Sequence, residues 1–197
     1  MNPMRLPWNH NIHYHPLVLA AAPRPCRRAL DIGCGRGLLT AELAGVADHV
    51  TGIDLDGPAL THAPAAPNIE IVQGDVMTYP FEPASFDLIA AIAVLHHLPL
   101  APALTRFQGL LAPGGVLAVI GLARQATTAD FVWAAAAYPV NQVLKRMKGE
   151  VAVGAPVSDP RETFDEVRSV CKTVLPGARL RRLLLFRYSL IWRKSAR

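Results

Sequence analysis

The sequence predicts an α/β protein built on a doubly wound, mostly parallel sheet with an antiparallel C-terminal hairpin strand. Short apolar segments alternate with segments of helical period between residues 28 and 121, which is typical of a parallel sheet covered by helices on both faces. The uninterrupted apolar run from Leu88 to Val94 indicates a central strand buried on both sides. The alternating segment from Arg179 to Arg193 predicts two adjacent strands that turn near residues 185–187.

The length and composition suit one folded domain. The chain has 197 residues, of which 51% are hydrophobic and 18% charged, so it can bury a core and is unlike a disordered chain. We predict an N-terminal arm or lid at residues 1–27, rich in Pro, His and Asn, and a single domain at residues 28–197. Its cysteines (Cys26, Cys34 and Cys171) indicate no disulfide framework, which predicts a cytoplasmic protein. No segment predicts a membrane span.

The predicted elements follow from apolar periodicity and from the residues that interrupt it. Buried strands are predicted at Arg28–Ile32, His49–Asp54, Ile69–Gln73, Phe86–Val94 and Val116–Gly121. Helices are predicted at Leu17–Ala22, Leu38–Ala44, Pro58–Ala63, Ala101–Leu111, Thr128–Lys148 and Arg161–Val174. Pro64 and Pro67 keep the third helix short, and Pro139 is expected to break the fifth. The last helix is amphipathic, with one apolar stripe.

A glycine-rich turn follows the first strand, in the segment from Asp31 to Gly37. Glycine allows positive φ and a close approach of a ligand, and the helix that follows offers free N–H groups. The glycines lie at positions 33, 35 and 37, whereas a dinucleotide-binding turn would need glycine at the position of Leu38. This D-x-G-x-G-x-G pattern resembles motif I of the class I S-adenosylmethionine (SAM) dependent methyltransferases.

Further segments occur in the order expected of that family. They are the acidic end of the second strand at Asp54, the Gly74-Asp75-Val76 segment, the Ser85-Phe86-Asp87 entry to the fourth strand, the His96-His97 pair and the Pro113-Gly114-Gly115 turn. The resemblance covers roughly residues 28–121 and implies a Rossmann-like fold that binds SAM and releases S-adenosylhomocysteine. The segment after Asp56 departs from the family pattern, because it is short and proline-rich.

The resemblance also implies roles for particular residues. Asp54 would bind the ribose hydroxyls, Asp75 would accept from the adenine amine, and the Val76 N–H would donate to a ring nitrogen. The complete predicted cofactor-binding set is Asp31, Gly33, Cys34, Gly35, Gly37, Asp54, Leu55, Asp75 and Val76.

Histidines supply the catalytic candidates, since imidazole is the natural base near neutral pH. His96 and His97 follow the fourth strand, where the strand order of a doubly wound sheet reverses and ligands bind. Either residue can act as a base or only shape the pocket. His10 is the third candidate, in the arm. A metal site formed by His10, His13 and His15 is an alternative to a substrate lid or a plain structural arm, and we predict no metal.

The predicted function is transfer of the SAM methyl group to an O, N or C atom of a small, fairly apolar metabolite. The apolar segment within residues 126–160 is expected to form a wall of the acceptor pocket, or else a core helix or the contact of a homodimer. Seven basic residues between Arg179 and Arg197 are expected to be a solvated face, so nucleic acid is not the expected partner. The alternatives are RNA or protein methylation and a non-catalytic SAM-binding protein.

Overall fold

The computed structural model describes residues 8–148 and 159–196, and these form an α/β sandwich around one sheet. The strands are β1 (Arg28–Ile32), β2 (His49–Asp54), β3 (Ile69–Gln73), β4 (Phe86–Ile92), β5 (Leu111–Gly121), β6 (Arg179–Leu183) and β7 (Arg187–Arg193). The helices are α1 (His15–Ala21), α2 (Leu38–Leu43), α3 (Gly57–Leu60), α4 (Leu100–Leu110), α5 (Thr128–Lys148) and α6 (Phe164–Val174).

The strand order is β3-β2-β1-β4-β5-β7-β6. Strands β1 to β5 are parallel, whereas β7 runs antiparallel to both β5 and β6. The predicted fold class, a doubly wound and mostly parallel sheet with an antiparallel C-terminal hairpin, is therefore confirmed. The order reverses between β1 and β4, so the carboxyl ends of these two strands diverge into a crevice where ligands bind in such sheets.

Helices bury both faces of the central strands. One core cluster joins α4 and α6 to the sheet and includes Phe107 and Val167, while a second cluster joins α1 and α2 to the other face and includes Val18 and Leu43. Apolar residues on both faces of β4 are consequently buried, as its uninterrupted apolar run predicts.

Several elements differ from the boundaries expected from the sequence; among the helices, α3 ends at Leu60 instead of Ala63 and α6 begins at Phe164 instead of Arg161. Strand β4 ends at Ile92 instead of Val94, because Ala93 adopts a left-handed conformation with φ 56°. Strand β5 begins at Leu111 and includes the Pro113-Gly114-Gly115 turn. Helix α5 continues through Pro139, where we expected a break. Pro139 is exposed, so water can bind the carbonyl group that loses its helical donor.

The described helices include none with the length and apolarity needed to cross a membrane.

Candidate functional site

The main cavity of the described residues lies at the carboxyl ends of β1, β2, β3 and β4 and measures about 390 Å³. Its walls come from the glycine turn after β1, from the acidic ends of the next two strands, from the segment after β4 and from the N-terminal arm. The glycine turn, the strand ends and the segment after β4 contribute these lining residues: Asp31, Gly33, Cys34, Gly35, Asp54, Leu55, Asp75, Val76 and His97. The cavity is thus at the crevice where the strand order reverses.

The glycine turn rests on the neighbouring strand. The N–H groups of Gly33 and Cys34 both donate to the carbonyl oxygen of Ile53, at 2.8 and 3.2 Å. Gly33, Gly35 and Gly37 have φ values of 68°, 52° and 71°, which only glycine adopts without strain. A Cβ atom on Gly35 would meet nothing nearer than an Asp54 oxygen at 4.0 Å, so the backbone there is open to the cavity and can cradle a ligand.

The other two glycines of the turn serve packing. A Cβ atom on Gly33 would collide with the side chain of Val94, which follows β4, and one on Gly37 would lie 2.5 Å from a carbon of Pro64. Gly37 precedes α2 and is not among the residues that line the cavity.

Asp54 connects the end of β2 to the glycine turn. Its Oδ2 accepts a hydrogen bond from the Gly35 N–H at 2.7 Å, and its Oδ1 accepts one from the Asp56 N–H at 2.9 Å. A carboxylate has about four lone-pair sites, so both oxygens retain the capacity to accept from a ligand hydroxyl. Leu55, the next residue, is 67% exposed and forms part of the cavity rim.

The end of β3 is held close to the end of β2. The Gly74 N–H donates to the carbonyl oxygen of Asp54 at 2.9 Å. Asp75 folds back, and its Oδ1 accepts from the Met77 N–H at 2.8 Å. Val76 is buried beside it and also lines the cavity. The acidic residues after two neighbouring strands therefore border one cavity.

Asp31 is a buried acid on the cavity wall. Its side chain accepts a 2.6 Å hydrogen bond from the Thr40 hydroxyl. Burial, with a smaller contribution from the nearby charge of Asp54, raises the pKa of Asp31 to about 7, although the bond from Thr40 opposes the shift. Asp31 therefore gains or loses its proton near neutral pH, and a cation bound in the cavity would favour its ionised form.

The charge of the cavity indicates which ligands it can take. Among the described residues that line it, the carboxylates are Asp31, Asp54, Asp56 and Asp75, and the guanidinium is that of Arg36. This excess of negative charge suits a cationic ligand and opposes a pyrophosphate. SAM carries a sulfonium and an amino group, so the residues present fit SAM and do not fit a dinucleotide.

The two histidines after β4 have different surroundings. His97 is exposed and lines the cavity, whereas His96 is 9% exposed and is not part of the lining. The ring centroids are 4.0 Å apart. Burial lowers the pKa of His96 to about 4, with further contributions from His97 and Arg187. The Nδ1 atom of His96 has no hydrogen-bond partner among the described residues.

The N-terminal arm forms part of the cavity wall, although His10 itself is not among the lining residues. Asn9, Asn11, Ile12 and His15 line it instead. The hydroxyl of Tyr14 donates to the Leu184 carbonyl oxygen at 2.6 Å and so attaches the arm to the C-terminal hairpin.

The arm histidines have separate partners. His10 Nε2 lies 2.7 Å from Asn141 Oδ1, His15 Nδ1 lies 2.9 Å from Glu42 Oε1, and the ring of His13 packs edge-on against Tyr14. The described residues contain no group of three His, Cys, Asp or Glu side chains suited to a metal ion.

Several lining residues were not predicted as site residues. Asn9, Asn11 and Ile12 lie in the segment predicted to be an arm or lid, in which His10 is the predicted site residue. Ala93 and Val94 lay inside a predicted strand, and the sequence gives no signal for the left-handed turn that brings them to the cavity. The short polar side chains between the arm histidines are the one sequence feature that indicates a role for this part of the arm in the site.

Comparisons with known proteins agree with this fold and cavity. A family model described as "Methyltransferase domain" matches residues 30–119. An uncharacterized methyltransferase of Mycobacterium tuberculosis is 38% identical over 195 residues, which span 96% of this chain and 98% of that protein. A ubiquinone biosynthesis O-methyltransferase of Ralstonia nicotianae is 31% identical over 123 residues, 58% of this chain and 48% of that protein.

A similar solved structure is the N-methyltransferase NodS of Bradyrhizobium japonicum in complex with S-adenosylhomocysteine, with a TM-score of 0.63, 22% identity and coverage of 98% and 92% of the two chains. The fold and the acidic cavity define an α/β enzyme that binds an adenosyl cofactor. With these matches, the chain belongs to the class I SAM-dependent methyltransferases, and its cofactor is SAM.

Replacing Asp31 by Asn should change how stability depends on pH. Folding raises the pKa of Asp31 from 3.8 to about 7, so the folded chain keeps a proton that the unfolded chain has released. The wild-type free energy of unfolding, relative to the variant, should therefore fall as the pH rises between these two values, by on the order of 4 kcal/mol in total.

Urea denaturation of both proteins from about pH 4 to about pH 8 measures this difference. Other titrating groups cancel in the comparison. A difference that stays constant over the range would show that Asp31 has an ordinary pKa.

Proposed function

We propose that this methyltransferase transfers the methyl group of SAM to an O, N or C atom of a small, fairly apolar metabolite. The observation that carries the proposal is the cavity of about 390 Å³ that the arm and the strand ends line together. Apolar side chains, including Ile12, Val94 and Leu98, line the cavity beside the acids. A concave, largely apolar cavity of this size suits small molecules.

We propose that the cofactor is held by the residues expected from the sequence. Asp54 accepts from the ribose hydroxyls, Asp75 and the Val76 N–H bind the adenine edge, and Asp31 lies toward the cationic amino-acid part. The open backbone at Gly35, with Gly33 and Cys34 as packing residues of the turn and Leu55 at the rim, completes the contacts, whereas Gly37 acts only through the shape of the turn. When bound, SAM supplies an electrophilic methyl group on a positively charged sulfur.

We propose that the chain contributes alignment, exclusion of water and a proton acceptor. Alignment and a dry site account for most of the acceleration of such a displacement. His97 lines the cavity and is the candidate base for an acceptor that carries a proton. His96 is buried behind it and serves as a neutral packing partner that orients the ring of His97. His10 holds the arm through Asn141 and acts on the reaction only through the position of the arm.

The alternatives expected from the sequence receive less support. Of the basic C-terminal groups, Arg182 pairs with Asp130, Arg187 binds Asn11, and Lys194 binds two carbonyl oxygens of the α4–β5 region. These groups have partners within the chain instead of forming a free basic surface, which weakens the argument for an RNA partner. A cytoplasmic location remains our proposal. A homodimer is also proposed, through the exposed apolar residues of α5, which include Val143 and Met147.

The expected wall at residues 126–160 is only partly described. Asp130 and Trp133 line a second, smaller cleft rather than the main cavity, and residues 149–158 lie outside the described part of the chain. We keep the aromatic side chain of Trp133 as a proposed element of the acceptor pocket.

Asp54→Ala should weaken SAM binding strongly. Loss of two hydrogen bonds to a charged group, together with release of the Gly35 N–H, should raise the dissociation constant by about 100-fold or more. The control is Asp48→Ala, which makes the same change of charge at the other end of β2, where the side chain is exposed. Calorimetry measures both constants, and equal affinities in the two variants would refute the ribose role.

The proposed substrate class can be tested by product analysis. The protein is incubated with SAM and, in separate reactions, with small phenols, amines, bulk tRNA or a protein mixture. We expect S-adenosylhomocysteine to form with a small acceptor and the methylated product to appear by mass spectrometry. Transfer to tRNA or protein alone would contradict the proposal. SAM binding without any transfer would favour a non-catalytic SAM-binding protein.

His97→Ala should lower kcat by about 100-fold if His97 is the base, because general base catalysis contributes about that much. The loss should be smaller at high pH, where the acceptor ionises by itself. His49→Ala, at the amino end of β2, is the control. A rise in KM with unchanged kcat would instead assign His97 to the pocket wall.

A further inference from the structure

Arg187 is a partly buried cation at the edge of the sheet that carries the cavity. It is the first residue of β7, and its neighbour Tyr188 pairs with Gly121, the last residue of β5. Because β5 is parallel to β1 and β4, this position lies at the same carboxyl edge as the cavity. Burial lowers the pKa of the guanidinium to about 10, which shows how much of its hydration the fold removes.

The hydrogen-bond partners of Arg187 are neutral. Its Nη2 and Nε donate to the Asn11 side-chain oxygen at 2.9 and 3.3 Å. Its Nη1 approaches the carbonyl oxygens of Leu185 and Phe186 at 3.5 and 3.4 Å, which are weak contacts. No carboxylate of the described residues pairs with it. Buried cations are normally paired, so this charge lacks its usual compensation.

A nearby arginine shows the usual arrangement. Arg182 points into the same cleft and forms an ion pair with Asp130, whose carboxylate also accepts from two backbone N–H groups. The carboxylate of Asp130 is therefore fully engaged.

A small cleft of about 50 Å³ lies directly against Arg187. Arg124, Arg182 and Arg187 border it together with Asp130, so the described lining has an excess of positive charge. The aromatic rings of Trp133 and Phe186 form part of its walls. The cleft holds only a few water molecules, since each needs about 10–15 Å³ of such space. It can therefore accommodate a carboxylate but not a whole metabolite.

We propose that Arg187 binds a carboxylate of the methyl acceptor, with the carboxylate in the small cleft and the apolar body of the acceptor directed toward the main cavity. The inference rests on the proposed function and narrows its acceptor class. Arg187 lines the small cleft, and its hydrogen-bond partner Asn11 lines the main cavity, so the two spaces lie on either side of this pair of side chains. A planar guanidinium can form two parallel hydrogen bonds to a carboxylate, which fixes both position and orientation.

The surroundings of His96 support the same assignment. Its Nδ1 is buried without a partner among the described residues, and Arg187 is one of the charges that act on its ring. The imidazole therefore stays neutral next to the guanidinium and does not compensate its charge. An anion supplied by the acceptor would do so.

The competing explanation is that Arg187 only anchors the arm through Asn11. Binding of a carboxylate and anchoring of the arm predict different effects of charge. Anchoring needs a hydrogen bond between the two side chains, whatever their charges, whereas carboxylate binding needs Arg187 to remain uncompensated. Asn11→Asp separates the two, because it keeps the hydrogen bond and places a carboxylate against Arg187.

Benzoate and benzamide are suitable probes, since they have nearly the same shape and differ in charge. Their dissociation constants are measured by calorimetry or NMR titration on protein saturated with S-adenosylhomocysteine. Wild-type protein should bind benzoate at least about tenfold more tightly than benzamide. Arg187→Gln and Asn11→Asp should each bring the two constants close together. Arg193→Gln, at the other end of β7, should keep the wild-type preference.

The proposal is overturned if wild-type protein shows no preference for benzoate, or if both variants retain it. It is also overturned if Arg187→Gln weakens SAM binding and leaves benzoate unaffected, which would assign Arg187 to the cofactor. Circular dichroism checks that each variant is folded, and Asn11→Asp provides the test if Arg187→Gln is not. Missing methyl transfer with an intact benzoate preference would contradict the proposed function instead, so the two failures are distinguishable.

Discussion

The hydrogen bond from the Gly35 N–H to Asp54 is the contact on which the geometry of the cavity depends. It ties the turn after β1 to the end of β2, and the bonds from Gly33 and Cys34 to the Ile53 carbonyl oxygen reinforce it. The turn can take this position because its glycines adopt positive φ. One carboxylate thus shapes the loop and remains available to a ligand. The glycine turn and the acid at the end of the next strand therefore form one unit of the cavity wall.

The main cavity and the small cleft differ in the sign of their charge. The charged side chains of the main cavity are mostly acids, whereas those of the small cleft beside Arg187 are mostly arginines. Burial raises the pKa of Asp31 to about 7, and it lowers that of Arg187 to about 10. Both groups are therefore held in surroundings that disfavour their charged forms, and each gains from a ligand of opposite charge. A cationic cofactor and an anionic acceptor satisfy this arrangement together, with the arm residue Asn11 between them.

The sheet and the glycine turn could be predicted because their signals are local. Strands β1, β2 and β3 have the predicted boundaries, since each is a short apolar segment that ends at a turn or an acid. The covering of the cavity could not be predicted in the same way. His10 meets Asn141 across 131 positions and Arg187 meets Asn11 across 176, and no periodicity reports such contacts. The propensity of proline predicts a break at Pro139, but α5 continues through it, because the exposed position of the ring is a property of the folded chain that the local sequence does not report.

The link between Arg187 and Asn11 has a consequence for the order of events on the enzyme. Asn11 lies in the arm, and the arm lines the cofactor cavity. A carboxylate at Arg187 would compete with the Asn11 oxygen for the same N–H groups and would weaken one of the bonds that hold the arm to β7. The Tyr14 bond to Leu184 would still retain the arm. On this proposal the acceptor loosens part of its own cover as it binds. The acceptor should therefore enter and leave more readily than the cofactor, whose contacts are made with the rigid ends of β1, β2 and β3.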